Sequence, residues 1–498
     1  MDFMPPHTST TEFDDRSRLQ IILGVLVAML LAALDQAIVA PALPTIGRSL
    51  GGGGYLSWVV TAYLLTATAV TPLYGKLSDI FGRDRALWVS LLTFAAGSVI
   101  CALAPNLWAL ICGRAVQGIG GGGLGALALT VIGDVVAPRE RARYQGYISG
   151  VWATASFAGP ILGGVIAERL NWSVIFWLNL PLVAIAFLVV SKPIKLLPRP
   201  GKRHSIDWLG AVWMVAGTVC VLLILTWGGT RYPWFSLAIG SLAGVALFFG
   251  ALVLHSSRTH PEPLLPLPVL RNQVILFGTC SGALAMAAYL GLSVYLPLYF
   301  EGLLHLAPDL AGLSLVPLMG LTVVGAAWSG VTAARVKQYK RIALAGLVVA
   351  IASLGVTTLF VGRLNYWSLE SLLGVVGLGT GTLFPITTVS VQNAAEPRDL
   401  GVTTGVLTFL RSLGATLGVA ILGTVFLACG VLGLGEQFNQ AGINASPVAL
   451  IHGFTWAFLL ANGLLMASWI CLWRMKELPW RTAQGTAETK PELAGQTP

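Results

Sequence analysis

The chain has 498 residues, of which 55% are hydrophobic and only 10% charged, with a mean hydropathy of +0.78 and a formal net charge of +9. Soluble domains carry about 25% charged residues, so the two to four water-soluble domains that length alone suggests are excluded. Apolar runs of about 20 residues recur from end to end, each long enough to cross ~30 Å of hydrocarbon as a helix, whereas the alternating ten-residue strands of a membrane barrel are absent.

Residues 1–18 are polar and include Glu12, Asp14 and Asp15, unlike the basic start of a cleavable leader. They read as a tail before a retained first helix. Helices are predicted over 19–44, 55–74, 86–104, 107–133, 144–167, 173–190, 207–228, 234–254, 273–299, 310–334, 342–361, 368–392, 403–428 and 452–474, fourteen in all. The expected organisation is a six-helix bundle over 19–190, a basic loop over 191–206 and two inserted helices within 207–254. A linker over 255–272, a second six-helix bundle over 273–474 and a tail over 475–498 complete it. The fold class is thus an all-α polytopic membrane protein.

The first helix contains LAALDQAIVAPALP, residues 31–44, with a single carboxylate, Asp35. Of the 21 acidic residues it alone lies well inside a predicted span; Asp134, Asp207 and Glu370 fall near span ends. An ionised residue at the centre of a membrane helix costs at least ~2.5–3.5 kcal/mol, so a counter-charge or a proton must offset it. The second and third helices are joined by GKLSDIFGRDR, residues 75–85. Its glycines, Gly75 and Gly82, let two helix ends approach closely. Asp79 suits a helix N-terminus, where the macrodipole favours negative charge.

The fourth helix carries GRAVQGIGG, residues 113–121, with Arg114 and Gln117. Asp35 lies about eleven residues from the outer end of its helix and Arg114 about eight from the outer start of its own, or ~16 and ~12 Å. The two sit within about one turn of the same depth, which makes Arg114 the expected partner. A literal GxGxxG is present (Gly118, Gly120, Gly123), but no strand precedes it, so close helix packing is the reading and not a dinucleotide site. No phosphate-binding GxxxxGK[ST] occurs. Asp134, at the inner end of this helix, is a candidate gating charge for Arg83 or Arg139. The fifth helix carries AGPILGG, residues 158–164, with Gly159, Pro160, Gly163 and Gly164. The 191–206 loop, SKPIKLLPRPGKRHSI, reads as a topology anchor, with lipid-headgroup binding as the alternative. Arg411, in the thirteenth helix, has no visible acidic partner; helix packing and a role in transport both stay open. The six cysteines lie in or at the ends of apolar runs without a CxxC, so they read as small hydrophobes, not metal ligands.

An internal repeat relates the halves. At an offset of 259, Gly118, Gly120, Gly122, Pro138, Arg139, Gly146, Gly159 and Gly164 fall on Gly377, Gly379, Gly381, Pro397, Arg398, Gly405, Gly418 and Gly423. Parallel repeats describe transporters with a substrate site between the halves. With the N-terminus in the cytoplasm, 24 of the 30 Lys and Arg residues fall on that side and four (Arg48, Arg169, Arg231, Arg363) outside. That bias places both termini in the cytoplasm and explains the net charge without a nucleic-acid surface.

The 75–85 loop resembles the signature of the major facilitator superfamily through Gly75, Leu77, Asp79, Gly82, Arg83 and Arg85. GRAVQGIGG is similar to that family's fourth-helix motif. AGPILGG is similar to its antiporter signature, with Ala155 where a further glycine is usual. LDQAIVAPALPTI and the helix count resemble the fourteen-helix drug:proton antiporters of the EmrB/QacA type. The resemblance implies two six-helix bundles plus two inserted helices. It implies that the 75–85 loop latches onto a helix of the other half. It also implies that helices one and four line a central cavity. The equivalent second loop, GVTAARVKQYKR at 330–341, has Ala334 where Asp79 would fall, so a second latch is expected to be degenerate.

On this reading Asp35 titrates beside Arg114 and Gln117, with a fixed structural ion pair as the alternative. The expected function is proton-coupled export of small amphipathic or cationic compounds, with Tyr63, Trp152, Tyr289, Tyr295 and Trp328 offering π-faces. A dedicated metabolite or lipid exporter is the alternative, and a membrane enzyme or sensor a distant one. No cofactor or metal is expected beyond a proton gradient. The expected partners are the bilayer, protons and a small-molecule substrate. The expected setting is the bacterial cytoplasmic (inner) membrane, as a monomer, with a periplasmic adaptor left open.

Overall fold

A computed structural model describes residues 15–51, 55–191, 193–197, 207–229, 231–261, 263, 269, 271–336, 338–431 and 446–479. Most of the 191–206 loop, much of the 255–272 linker, most of the 429–451 connection and the outer parts of both tails lie outside these residues. Among the described residues there are sixteen α-helices and no strand longer than an isolated bridge between Gly228 and Tyr232. They are α1 (Asp15–Leu50), α2 (Trp58–Phe81), α3 (Arg83–Ala102), α4 (Leu107–Val135), α5 (Pro138–Arg169), α6 (Val174–Trp177), α7 (Asn179–Val190), α8 (Trp208–Trp227) and α9 (Leu237–Thr259). After the linker come α10 (Gln273–Gly302), α11 (Pro308–Leu313), α12 (Val316–Ala333), α13 (Lys340–Leu359), α14 (Tyr366–Ala394), α15 (Leu400–Ala428) and α16 (Pro447–Arg474).

Twelve helices among the described residues are long and apolar enough to cross a membrane. Two of the fourteen predicted spans fall outside that set. The helix α2 is 24 residues long, but its threonines and the polar stretch from Lys76 to Asp79 dilute its hydrophobicity. The predicted sixth span is divided into α6 and α7, an apolar stretch over Val174–Val190. The predicted tenth is likewise divided, into α11 and α12. The first helix continues to Leu50, past Pro41 and Pro44.

The repeat seen in the sequence is a repeat of packing. In the first half α1 packs on α5 and α7, and α4 packs on α2 and α3; in the second, α10 packs on α15 and α16, and α14 packs on α12 and α13. A side chain at Gly118 or Gly122 would strike the α2 backbone, and one at Gly120 the backbone of α3. At the 259-residue offset, Gly377 and Gly381 abut α12 and Gly379 abuts α13. Even the helix caps correspond: Asn106 accepts the Ala109 amide at the start of α4, and Asn365 the Ser368 amide at the start of α14. The inserted helices α8 and α9 pack on each other, and α8 also reaches α2 and α15. Ser256 and the Gly210 amide both donate to Asp207 at the base of this pair.

The halves meet along two seams, α2 against α15 and α5 against α12. In each seam a glycine allows backbone contact. A Cβ at Gly75 would run into the Gly401 carbonyl, and a Cβ at Gly330 into the Ala142 carbonyl.

Candidate functional site

The carboxylate of Asp35 on α1 is held by three donors from two other helices. Its Oδ2 accepts Arg114 Nη1 of α4 at 2.5 Å. Its Oδ1 accepts Gln117 Nε2 of α4 at 2.9 Å and Asn179 Nδ2 of α7 at 2.8 Å. Ser98 of α3 accepts from both Gln117 and Asn179. Arg114 also donates to the Val59 carbonyl at 3.0 Å and to Gln117 Oε1 at 2.6 Å, and its guanidinium lies 4.3 Å from the Tyr63 ring centroid. Asp35 and Gln117 are fully buried and Arg114 is 1% exposed. In this structure the network closes over all three side chains inside the first half. A buried charge pair this fully hydrogen-bonded is stable as built, and removal of one partner typically costs about 3–5 kcal/mol.

The second cluster sits where α2 meets α15. The Asp79 carboxylate accepts the backbone amides of Gly401 at 3.0 Å and Val402 at 2.8 Å. These are the first amides of α15, which have no partner within their own helix. Arg83 donates to Asp79 at 2.5 Å, to Ser78 at 2.6 Å and, through Nε, to Asp134 at 2.7 Å. Asp134 therefore pairs with Arg83; the side chain of Arg139 is outside the described residues. Gly82 adopts φ +97°, a conformation that favours glycine, and so turns the chain between α2 and α3. One carboxylate thus ties the first half to a helix terminus of the second. The mirror seam, α5 against α12, keeps the backbone contact at Gly330 but has Ala334 in place of the acid.

The sequence profile of the Major Facilitator Superfamily matches residues 25–419. The chain belongs to the Major Facilitator Superfamily. It is 34% identical over 412 residues to the Multidrug transporter protein MdtP of Bacillus subtilis, covering 82% of this chain and 76% of that one. It is 34% identical over 419 residues to the MFS transporter L2 of a Phoma species, covering 81% and 69%. It is 31% identical to Multidrug resistance protein 3 of B. subtilis, covering 84% and 81%. Among solved structures it shares the fold of the proton:xylose symporter XylE, with a TM-score of 0.62 at 14% identity over 95% of this chain and 99% of that one. This superfamily member is accordingly a multi-pass membrane transporter and not an enzyme.

The remaining predicted site residues of the transporter divide by packing. Gly159 and Gly163 of α5 lie against Ala37 and Ile38 of α1, where a side chain would overlap the partner backbone. Ala155 packs one turn earlier on Ala33 and Leu34. Gly164 faces open space, so it does not serve that contact. Pro160 is exposed, and α5 is helical through it. Arg411 of α15 is partly exposed and donates through Nη2 to the Phe384 carbonyl at 2.9 Å and to Thr387 Oγ1 at 2.7 Å. Among the described residues no acid lies within ion-pair distance of it. Sequence reasoning missed Asn179 and Ser98. The available signal was an amide inside an apolar run, since polar side chains in membrane helices bond across to neighbours. Of the five aromatics proposed as substrate faces, Tyr63 and Tyr295 are buried in helix contacts and Trp328 is exposed at 58%.

Proposed function

We propose that this transporter is a proton-coupled antiporter of the fourteen-helix drug:proton type, exporting small amphipathic compounds by alternating access. On this reading α2 and the α6–α7 segment cross the bilayer as well, giving fourteen crossings. Both termini are cytoplasmic, in a bacterial cytoplasmic membrane. The α2–α15 clasp then closes the cytoplasmic side, and Asp35 carries the coupling proton when Arg114 lets go of it. One observation carries the coupling role: the antiporter-like motif of α5 packs at Gly159 and Gly163 onto Ala37 and Ile38, within one turn of Asp35. A shift of α5 is thereby transmitted to the helix that bears the acid. The names of the bacillar relatives support multidrug substrates. A dedicated metabolite or lipid exporter uses the same scaffold and is the second reading. Cationic substrates, expected from aromatic faces alone, find their mid-span acid already paired with Arg114.

The test uses vesicles containing the whole chain, an imposed pH gradient and a fluorescent amphipathic dye. Asp35→Asn keeps the size of the side chain but cannot titrate. The variant should bind dye without accumulating it uphill. Uphill accumulation at the wild-type rate would move the proton site elsewhere.

A further inference from the structure

The two mid-span arginines are treated differently by the fold. Arg114 is sealed against a carboxylate, a glutamine and a backbone carbonyl. Arg411 reaches only one carbonyl and one hydroxyl, its Nε is buried without a hydrogen-bond partner, and its side chain is partly open. A guanidinium has five donors in a planar fork that matches a carboxylate or sulfonate in bidentate fashion. Left unpaired in a membrane helix it is expensive, and such groups face a bundle interior or a water-filled space.

The packing of α15 shows what surrounds it. Gly414 and Gly418 abut the backbone of α10 at Ala283 and Ala287. The neighbouring stripe Thr404, Thr408, Arg411 and Ser412 is polar, at helical spacing. At one end of that stripe Gln392 of α14 donates both to Thr404 and to the Leu129 carbonyl of α4, in the first half. The polar stripe therefore begins at the junction of the halves. Half-buried Phe384 of α14 stands beside Arg411, 5.4 Å from the guanidinium carbon, and half-buried Tyr289 of α10 lies next to Phe384, edge-on at 6.3 Å. Gly282 of α10 lets the Arg411 side chain pack against its helix, since a Cβ there would stand 2.9 Å from Arg411 Nε.

We propose that Arg411, Phe384 and Tyr289 form a substrate site for amphipathic organic anions, the guanidinium taking the acid group and the rings the aromatic body. This narrows the exporter reading and rests on it only for the direction of transport. The charge balance supports it: the mid-span acid of the first half is already paired with Arg114, whereas among the described residues no acid lies within ion-pair distance of Arg411.

The experiment is equilibrium binding of three matched probes to the purified full chain in lipid nanodiscs, without any gradient: 1-naphthoate, neutral 1-naphthamide and 1-naphthylmethylammonium. Naphthoate should bind most tightly. Arg411→Gln should weaken naphthoate by roughly ten- to a hundredfold, the loss expected for a charged hydrogen-bonding partner, and leave naphthamide within about twofold. Arg411→Lys keeps the charge and loses the fork, so it should fall between wild type and Arg411→Gln; it also decides the matter if the glutamine variant does not fold. The site is refuted by a wild-type preference for the ammonium probe or by the absence of saturable naphthoate binding at millimolar concentration. Equal naphthoate affinity in Arg411→Lys and wild type, or a parallel loss of naphthoate and naphthamide, refutes it as well. Because binding is read without a gradient, these outcomes are separate from a failure of proton coupling at Asp35.

Discussion

Asp79→Ala should unfasten one seam without unfolding either half. The substitution removes the acceptor for two α15 amides and one of two carboxylates on Arg83, while Asp134 keeps its 2.7 Å contact. Hydrogen bonds to a charged group contribute about 1.5–3 kcal/mol each, and a carboxylate at a helix N-terminus about 0.3–2 kcal/mol. These are not additive, and water replaces part of them once the seam opens. A differential of roughly 3 kcal/mol is the reasonable expectation, a shift of about a hundredfold in the ratio of closed to open seams. Spin labels at the exposed positions Phe81 and Arg398, in a chain with its native cysteines replaced, report the separation of α2 from α15. Wild type should give a narrow short distance, and Asp79→Ala a longer and broader one, with transport impaired and membrane insertion normal. An unchanged distance distribution together with unchanged turnover would reduce the loop to a solvated turn.

Gly159→Leu should abolish export, since a branched side chain would enter the α1 backbone at Ala37; wild-type export by this variant would contradict the role assigned to the α5 contact. Asn179→Leu removes one of three donors to Asp35 and should lower stability by about 1–3 kcal/mol, read as a drop in thermal midpoint in detergent. Arg114→Gln alone should be more destabilising than Arg114→Gln with Asp35→Asn, because the single change strands a buried charge; equal midpoints would mean that the pair is not coupled. Labelling of a cysteine placed in the 432–445 segment should succeed from outside intact cells, and a need for permeabilisation would invert the proposed topology.

Residues differed in how legible they were. The ion pair of Asp35 and Arg114 could be anticipated from depth, because helical rise fixes where a residue lies along its axis. Depth says nothing of rotation, and so the sequence did not reveal that the pair is closed off by Asn179 and Ser98. The partner of Asp79 came from family resemblance; nothing local to residues 75–85 points to amides 322 positions away. Glycines at the 259-residue offset carried real packing information at Gly118 and Gly377, but at Gly164, inside the same motif as Gly163, an added Cβ would meet open space. The seat of α8 and α9 beside α2 and α15 was not readable, since apolar helices present no charge or periodicity that names their neighbour.

The lone guanidinium of Arg411 has an electrical consequence. On the proposed cycle Asp35, Arg114 and Arg411 together bear two positive charges in the returning carrier, where Asp35 holds its proton, and none in a carrier with Asp35 ionised and a monovalent anion on Arg411. A full transit of one charge through the membrane potential is worth about 2.3 kcal/mol per 100 mV, so a third of that path is worth roughly 0.8 kcal/mol. An interior-negative voltage then draws the returning carrier toward the inside and leaves the loaded stroke alone. Cell polarity would act as a return spring that speeds the reset and, because net positive charge moves inward in every cycle, also adds to the force that drives export.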